Sequence, residues 1–257
     1  MQRLAVAQRR ALGVRAPWHP GDIAWSLRDA AEVRVWQEDG DVVAWAWLHD
    51  GMLDADVRAD RRAFLDEVLD EPDATTAWAF EDDDEARATL ARHGYTRPGE
   101  VLRYHARDLS ERPEPPPLPE GFAYRTAGAG DLAERVAVHR EVWHPSKLTE
   151  EIYARVRQMP PFRESLDCAV EAPNGQFAAY CLVWPDEENA VGELEPVGVR
   201  AAFRRRGLGT AVCTYALARA WDEGMREAIV CCITEEACAL YTAIGFRRHG
   251  NLVAFSR

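Results

Sequence analysis

The stretch Gly192–Thr210, GELEPVGVRAAFRRRGLGT, decides the fold of this chain, and its two parts have different patterns. In the first part, Glu193, Glu195, Val197 and Val199 alternate with other residues, which predicts a strand with these four side chains on one face. In the second part, three consecutive arginines precede a Gly-Leu-Gly run, and apolar residues then recur at helical spacing. The stretch therefore predicts a strand, a glycine-rich turn and a helix.

This order of elements is typical of an anion-binding site. The first N–H groups of a helix have no partner within the helix, and the helix dipole adds partial positive charge there. Gly207 and Gly209 let the backbone turn and approach a ligand closely. Positive charge comes from Arg204, Arg205 and Arg206. We expect a pyrophosphate to bind here.

The spacing of the glycines distinguishes this motif from two common phosphate-binding motifs. The chain contains neither G-x-G-x-x-G nor G-x-x-x-x-G-K-[ST] here, and its single lysine is Lys147. The segment Arg204–Gly209 instead reads R-x-x-G-x-G directly after a V-x-V strand. It resembles the acyl-CoA-binding motif of the GNAT acetyltransferase superfamily. The alternative interpretation is an ordinary arginine-rich turn.

Composition narrows the classes of function. The chain has 257 residues, 47% of them hydrophobic, and a net charge of −12, which argues against disorder, nucleic-acid binding and binding to an anionic membrane. No apolar run predicts a signal peptide or a membrane span, and the six cysteines show no C-x-x-C spacing. The histidines lack metal-site spacing. We expect a cytoplasmic protein, a monomer or homodimer, without a metal.

A proline-rich segment divides the chain. Arg112–Gly121, RPEPPPLPEG, holds five prolines in ten residues and predicts an extended, semi-rigid linker. The predicted domains are therefore residues 1–111 and 122–257, joined by residues 112–121.

The two halves look like copies of one pattern of elements. Each has a predicted hairpin, at Asp39-Gly40 and at Pro173–Gly175, followed by a strand and a helix; the strand Met52–Val57 corresponds to Glu193–Val199. The order in the second half is similar to the GNAT fold from end to end. The resemblance implies an α+β fold with two tandem GNAT-like domains, each a mixed, mostly antiparallel sheet flanked by helices. Such a layout is similar to that of mycothiol synthase and related bacterial acetyltransferases.

The first copy lacks the features that would bind a cofactor. No glycine follows Val57, Asp60 would repel a pyrophosphate, and Leu90 stands where the second half has Tyr241. We therefore expect the first half to be structural and to shape the acceptor pocket. Six of its residues are tryptophans, and we expect some of them to pack against the second half: Trp18, Trp25, Trp36, Trp45, Trp47 and Trp78.

The family resemblance implies roles for named residues. Acetyl-CoA is the implied co-substrate, with its pantetheine along the V-x-V strand and its pyrophosphate in the glycine-rich turn. Pro196 or Gly198 is expected to mark a bulge that opens this strand from its neighbour. The implied cofactor-binding residues are Val197, Gly198, Val199, Arg204, Arg205, Arg206, Gly207, Leu208, Gly209, Thr210 and Thr234. Thr234 stands where the family commonly has asparagine, which puts that contact in doubt.

Acyl transfer from a thioester to an amine requires two proton transfers. Tyr241 matches the family's general acid; its alternative interpretation is a core tyrosine. Glu193 and Glu195 are both candidates for the base, directly or through water, and each is equally consistent with a salt-bridge carboxylate. Trp143 and His144 lie where the family closes over the acceptor, although helix capping and packing explain them as well.

The leading hypothesis is an acyl-CoA-dependent N-acetyltransferase that moves an acetyl group to the amine of a small molecule or peptide. The first alternative is a non-catalytic acyl-CoA-binding or scaffold protein. The second is a transferase that uses another acyl donor or a hydroxyl acceptor.

Overall fold

The computed structural model describes residues 1–29 and 32–257 and has the α+β fold that the sequence predicts. Its strands are β1 Arg34–Glu38, β2 Asp41–His49, β3 Met52–Val57, β4 Thr76–Phe80, β5 Arg97–Asp108, β6 Ala123–Thr126, β7 Asp167–Glu171, β8 Phe177–Asp186, β9 Val191–Val199, β10 Glu227–Cys232 and β11 Arg247–Ser256. Its helices are α1 Gln2–Leu12, α2 Pro20–Ser26, α3 Phe64–Leu69, α4 Asp84–Arg92, α5 Leu132–Val142, α6 Glu150–Val156, α7 Leu208–Asp222 and α8 Glu235–Ala243. Within the described ranges, no helix is long and apolar enough to span a membrane.

One continuous sheet joins the two halves. Its strand order is β1-β2-β3-β4-β11-β5-β10-β9-β8-β7-β6. The last strand of each half pairs with a strand of the other half, β11 with β4 and β5 with β10, and these two last strands also pair with each other. The two halves thus exchange their last strands, and the sequence analysis did not predict this exchange. The domain limits at residues 111 and 122 stay a prediction, and each predicted domain has its last strand in the other's part of the sheet.

The local elements agree closely with the sequence prediction. β3 has the predicted limits, and β9 begins at Val191, two residues before the predicted start. β7 and β8 form the predicted hairpin around Pro173–Gly175. α7 begins at Leu208, directly after Gly207. Local periodicity and turn residues were therefore sufficient to predict these strands and this helix.

A bulge in β9 changes which side chains share a face. In the register with β8, Leu194 and Val197 lie opposite Val183 and Cys181, which are two residues apart. Because β9 has one extra residue in this interval, Leu194 and Val197 point to the same face, and both pack in one apolar cluster. The bulge expected near Pro196 is confirmed. The expectation that Glu193 shares a face with Val197 is wrong, because the bulge reverses the alternation.

The N-terminal helices α1 and α2 were not predicted. His19 is the N-cap of α2, and its Nδ1 accepts the N–H of Gly21 at 3.0 Å. α2 packs so closely on β8 that a Cβ atom at Gly21 would lie 2.3 Å from the Cβ of Trp184. A helix of the first half therefore lies directly on the sheet of the second half.

The tryptophans of the first half occupy two different places. The Trp25 ring lies 5.3 Å from that of His139 and 6.4 Å from that of Tyr153, centroid to centroid. Trp18 and Trp45 pack edge to face with their centroids 4.9 Å apart, within the first half. The expectation that some tryptophans pack against the second half is confirmed by Trp25.

Candidate active site

β9 and β10 separate close to the point where the motif begins. They pair in parallel from Val191 to Glu193, and β9 then continues beside β8 as far as Val199. Beyond Glu193, the edge of β9 that faces β10 leaves its backbone N–H and C=O groups without this neighbouring strand. A wedge between two strands with backbone groups along one side is suited to an extended, amide-containing ligand.

The turn after β9 places the N-terminus of α7 beside this wedge. Gly207 is the N-cap of α7 with a φ of 76°, and Arg205 has a φ of 62°. Exposed arginines precede the helix, and its first N–H groups lack intrahelical partners. The predicted cofactor-binding residues other than Thr234 lie along the end of β9, this turn and the first turn of α7: Val197, Gly198, Val199, Arg204, Arg205, Arg206, Gly207, Leu208, Gly209 and Thr210.

The glycines of the turn have different roles. Gly207 has a positive φ, and a Cβ atom added there would have no neighbour within 4 Å, so the backbone conformation of the turn is what requires glycine. A Cβ atom at Gly209 would lie 3.4 Å from side-chain atoms of both Val199 and Leu240. Gly209 therefore permits close packing of α7 on β9 and α8, in addition to any approach of a ligand.

A cavity of about 560 Å³ extends from the wedge across the middle of the sheet to the first half. The second half contributes Trp143, Glu195, Val197, Cys231, Cys232, Ile233, Thr234, Ala237, Tyr241 and Leu252. From the first half come, among others, Gln8, Trp18, Asp22, Leu53, Asp54, Asp56, Trp78, Phe80, Leu102 and Tyr104. Both halves therefore form the walls of one cavity.

Tyr241 lies on α8 and lines this cavity. Its side chain is 6% exposed, and its ring packs edge to face on Phe246 at 5.8 Å between centroids. Among the residues that the structure describes, the Tyr241 hydroxyl has no hydrogen-bond partner. Burial, reinforced by the neighbouring Cys213 and Cys181, raises the pKa of Tyr241 well above its usual value. The hydroxyl is therefore protonated at neutral pH and available to donate.

Glu193 is a buried carboxyl that holds α2 in place. It is 4% exposed and accepts the backbone N–H of Asp22 at 3.0 Å, while its Oε2 lies 3.2 Å from Nδ1 of His19. Burial raises the pKa of Glu193 to about 8, and burial lowers that of His19 to about 4. The contact with His19 is thus between neutral groups at neutral pH. Glu193 is not among the residues that line the cavity.

Glu195 lines the cavity at the bulge of β9. Its backbone oxygen accepts the indole N–H of Trp184 at 2.6 Å, which fixes the strand at this residue. Burial, followed by the charge of Asp22, raises the pKa of Glu195 to about 8. The carboxyl therefore titrates just above neutrality, where a general base for an amine is effective. Of the two predicted glutamates, the structure brings only Glu195 to the same cavity as Tyr241.

Of the other predicted site residues, some line the cavity and one does not. Trp143 is 47% exposed and lines the cavity, whereas His144 is exposed and is not among the lining residues. Thr234 also lines the cavity, and its Oγ1 accepts the N–H of Ala237 at 3.2 Å as the N-cap of α8. Thr234 thus has a structural role beside any contact with a cofactor.

Asp22 is a site residue that the sequence analysis missed. It lines the cavity, and burial together with the neighbouring Glu193 raises the pKa of its carboxyl well above the usual value. The segment His19-Pro20-Gly21-Asp22 carries a signal that could have located α2, since proline is favoured at the first position of a helix and an acid near its start. Its closeness to Glu193 depends on the tertiary fold.

Three possible metal ligands also lie together. Ligand atoms of His105, Cys232 and Cys238 are all within 4.8 Å of one another, and all three residues are buried. Cys232 Sγ lies 3.8 Å from Nδ1 of His105 and 3.8 Å from the backbone oxygen of Arg103. The sequence-based expectation of an enzyme without a metal stays a prediction, and this cluster is where it is best tested.

Comparison with known proteins gives consistent results. Residues 133–246 match the model of the acetyltransferase (GNAT) family. The chain is similar to the mycothiol acetyltransferases of Actinosynnema mirum (29% identity over 221 residues), Amycolatopsis mediterranei (30% over 213) and Nocardia farcinica (28% over 272). These matches cover 82%, 76% and 96% of this chain and 73%, 70% and 89% of the relatives.

Solved structures agree with the fold over the whole chain. A tandem GNAT protein from the clavulanic acid biosynthesis pathway aligns with a TM-score of 0.70 at 20% identity, over 100% of this chain and 93% of that one. A GCN5-related N-acetyltransferase from Sphaerobacter thermophilus aligns with a TM-score of 0.69 at 20% identity, over 100% and 90% of the two chains. At this identity, the likeness concerns the fold.

Proposed function

Because this chain belongs to the acetyltransferase (GNAT) family and is an acetyl-CoA-dependent N-acetyltransferase, we propose that it acetylates a small-molecule amine bound in the cavity between its halves. One observation carries the proposal: Glu195 and Tyr241 line the same cavity, next to the wedge between β9 and β10. A base and an acid on one cavity are what acyl transfer to an amine requires.

The cofactor is proposed to lie in the wedge and on the turn. Backbone groups of Val197–Val199 would hydrogen-bond the pantetheine, and the turn Arg204–Gly207 with the N-terminus of α7 would hold the pyrophosphate. This placement directs the thioester toward the cavity, because Val197 and Tyr241 both line it. Support comes from the free edge of β9 and from the positive φ of Gly207.

The proposed reaction has one base and one acid. The amine nitrogen attacks the thioester carbonyl carbon, and the Glu195 carboxylate takes the proton that the amine loses. The carbon–sulfur bond then breaks, and the Tyr241 hydroxyl donates a proton to the departing thiolate. An activated thioester and a neutral amine can react directly, so this route assigns no step to a metal.

Glu193 is proposed as a positioning residue. Its carboxyl is occupied by the N–H of Asp22, whereas Glu195 faces the cavity. In this proposal Glu193 fixes α2 and thereby the Asp22 carboxyl, whose charge is the second cause of the raised pKa of Glu195. The two predicted bases thus have separate tasks.

Residues 122–257 are proposed to carry the chemistry, and residues 1–111 to complete the acceptor pocket. The relatives named mycothiol acetyltransferase make the unacetylated form of mycothiol the first acceptor to test. Trp18, Trp78 and Trp143 give this pocket aromatic walls against which an acceptor can pack.

The test is release of CoA from acetyl-CoA in the presence of unacetylated mycothiol and a panel of simple amines. We expect amine-dependent release, with a new amide in the product by mass spectrometry. Tyr241→Phe serves as the control for background hydrolysis. Release that is independent of every amine would overturn the proposal.

A further inference from the structure

The first half has its own wedge, between β3 and β4. These strands pair in parallel only at Met52 and Leu53, and the last pair is Leu53 opposite Ala77. In the same way, β9 and β10 stop pairing at Glu193. Asp56 lies on the free part of β3, beyond the last residue that pairs with β4, and it lines the same cavity as Glu195. The repeat therefore places a second carboxylate at a second strand opening of the same cavity.

Gln8 of α1 closes this second wedge to a cofactor. Its Nε2 donates to the backbone oxygen of Val57 at 2.9 Å, and its Oε1 accepts the N–H of Ala59 at 2.9 Å. The indole N–H of Trp18 donates to the backbone oxygen of Ala55 at 2.8 Å. In the first half, side chains of the protein thus hydrogen-bond backbone groups that correspond to those a pantetheine would use in the second half.

One polar atom in this wedge is left without a partner. Asp56 is 2% exposed and lines the cavity; its Oδ1 accepts the Nε2–H of Gln8 at 3.0 Å. Its Oδ2 has no hydrogen-bond partner among the residues that the structure describes. A buried carboxylate oxygen without a donor is costly, so a donor from a ligand would be bound favourably.

The arginines that line the cavity do not pair with Asp56, and the N-terminal ammonium of Met1 acts on it by charge without a hydrogen bond to Oδ2. The lining arginines pair elsewhere, Arg62 with Asp83 at 2.6 Å and Arg15 with Asp82. The lining residue Asp54 already accepts from Nε2 of His49 at 2.9 Å. Asp56 Oδ2 therefore has no donor among the described residues, in a cavity with more carboxylates than guanidinium groups.

We infer that Asp56 forms a second subsite of the acceptor site, which binds a hydrogen-bond donor at the end of the acceptor remote from the acetylated amine. This rests on the proposed function. The acceptor class is an elongated amine whose far end carries an ammonium, a guanidinium or a hydroxyl group. The vestigial wedge of the first half thereby selects the acceptor, while the wedge of the second half holds the cofactor.

The experiment compares kcat/KM of the full-length enzyme for three series of matched chain length: linear monoamines, α,ω-diamines and ω-amino alcohols. We expect a bifunctional acceptor of sufficient length to exceed the monoamine of equal length by about tenfold or more, the effect of one hydrogen bond to a charged group. The diamine and amino-alcohol arms distinguish a cationic from a neutral donor.

The matched variants are Asp56→Asn and Asp54→Asn. Asp56→Asn keeps an oxygen for Gln8 and places a donor where Oδ2 accepts, so it should lower kcat/KM for diamines much more than for monoamines of equal length and thereby remove the advantage of the diamines. Asp54→Asn should keep the advantage, because Asp54 already has a partner. The wild-type preference is a readout that does not depend on the folding of any variant.

Two results would overturn the inference. One is equal kcat/KM for monoamines and bifunctional amines at every length, and the other is an equal loss for all acceptors in Asp56→Asn. Monoamine turnover without any preference would contradict only this subsite, whereas absence of turnover with every amine would contradict the proposed function itself.

Discussion

The backbone N–H of Asp22 donates a hydrogen bond to the Glu193 carboxyl group at 3.0 Å, across 171 residues of sequence. This bond ties the first turn of α2 to β9, the strand that carries the motif. It occupies Glu193 and brings the Asp22 carboxyl to the cavity, where burial first and the charge of Asp22 second raise the pKa of Glu195. An N-terminal helix therefore tunes the candidate base of the C-terminal half.

The first prediction is that Glu195→Gln removes the pH dependence that the base confers. The pKa of Glu195 is raised to about 8 and a carboxyl acts as a base only when deprotonated, so wild-type kcat/KM should rise as pH rises through about 8. In Glu195→Gln this rise should disappear, and kcat should fall by about 10²–10⁴-fold.

CoA release over a pH series measures both effects, and Glu193→Gln is the control. That variant keeps Glu195 and should retain a rising limb. An unchanged pH profile in Glu195→Gln would show that another group is the base.

The second prediction is that Tyr241→Phe lowers kcat by about 10²–10⁴-fold and leaves the Kd for acetyl-CoA within a few-fold. The thiolate that Tyr241 is proposed to protonate exists only along the reaction path, so the loss should appear in turnover. Steady-state kinetics and calorimetric titration measure the two quantities.

Tyr124→Phe is the matched control, because the Tyr124 hydroxyl donates to the backbone oxygen of Pro116 at 2.7 Å and is not among the cavity residues. It should leave kcat unchanged. Normal turnover in Tyr241→Phe would return Tyr241 to the role of a core residue packed on Phe246.

The third prediction is one acetyl-CoA site per chain, at the turn before α7. The Ala59 N–H in the first half is occupied by Gln8, whereas Gly207 in the second half has a φ of 76°. Gly207→Val should weaken acetyl-CoA binding about tenfold or more, because the turn of the free variant relaxes out of this conformation and binding has to restore it, at a cost on the order of 1–3 kcal/mol for a β-branched residue.

Calorimetric titration gives both the stoichiometry and the affinity. Gly175→Val is the matched control, since Gly175 has a φ of 80° in a hairpin turn away from the cofactor, so the strain is similar and binding should be unchanged. Two equivalent sites per chain would contradict the prediction.

Sequence reasoning succeeded where structure is determined locally. β9, the turn and α7 follow from alternation, from glycine at a positive φ and from helical spacing within one short stretch. The bulge at Pro196 was also predicted, but its effect on the side-chain faces was not. One extra residue against β8 is sufficient to turn Glu193 away from the cavity.

What the sequence analysis missed depends on pairing between distant segments. The exchange of β5 and β11 between the halves has no local signature, because it consists of pairing between strands that are far apart in the sequence. The contact of Asp22 with Glu193 likewise requires α2 to be docked on Trp184. The sequence therefore named Glu195 and Tyr241, which line the cavity, but it did not separate Glu195 from Glu193, which contacts α2 instead.

The fourth prediction concerns stability and pH. Burial raises the pKa of Glu193 from 4.5 to about 8, so the folded state holds a proton that the unfolded state releases between these values. The free energy of unfolding should therefore fall as pH rises from about 5 to about 9. Glu193→Gln stays neutral and accepts from Asp22, so its Tm should fall less over this range.

Thermal unfolding at a series of pH values tests this difference. Asp22 and Glu195 have raised pKa values as well, so the variant should reduce the slope without abolishing it. A slope equal to that of the wild type would mean that Glu193 is ionised in the folded protein at neutral pH.

The fifth prediction is that the halves do not function apart. β5 lies between β11 and β10, so a fragment of residues 120–257 would lose the strand that joins two of its own. It would also lose α2 on Trp184 and the Arg9–Glu227 ion pair, 2.8 Å long. Exposed strand edges promote aggregation. We expect this fragment to be insoluble or inactive.

A protease site inserted at Pro115–Pro117 separates the effect of cutting from the effect of removal. After cleavage of the folded full-length protein, every strand is still paired, so the two pieces should elute together in gel filtration and retain most of the CoA-release activity. The isolated fragment should have none. If residues 120–257 were monomeric, stable and fully active alone, the exchanged strands would be dispensable, and the first half would have a function separate from the acceptor pocket.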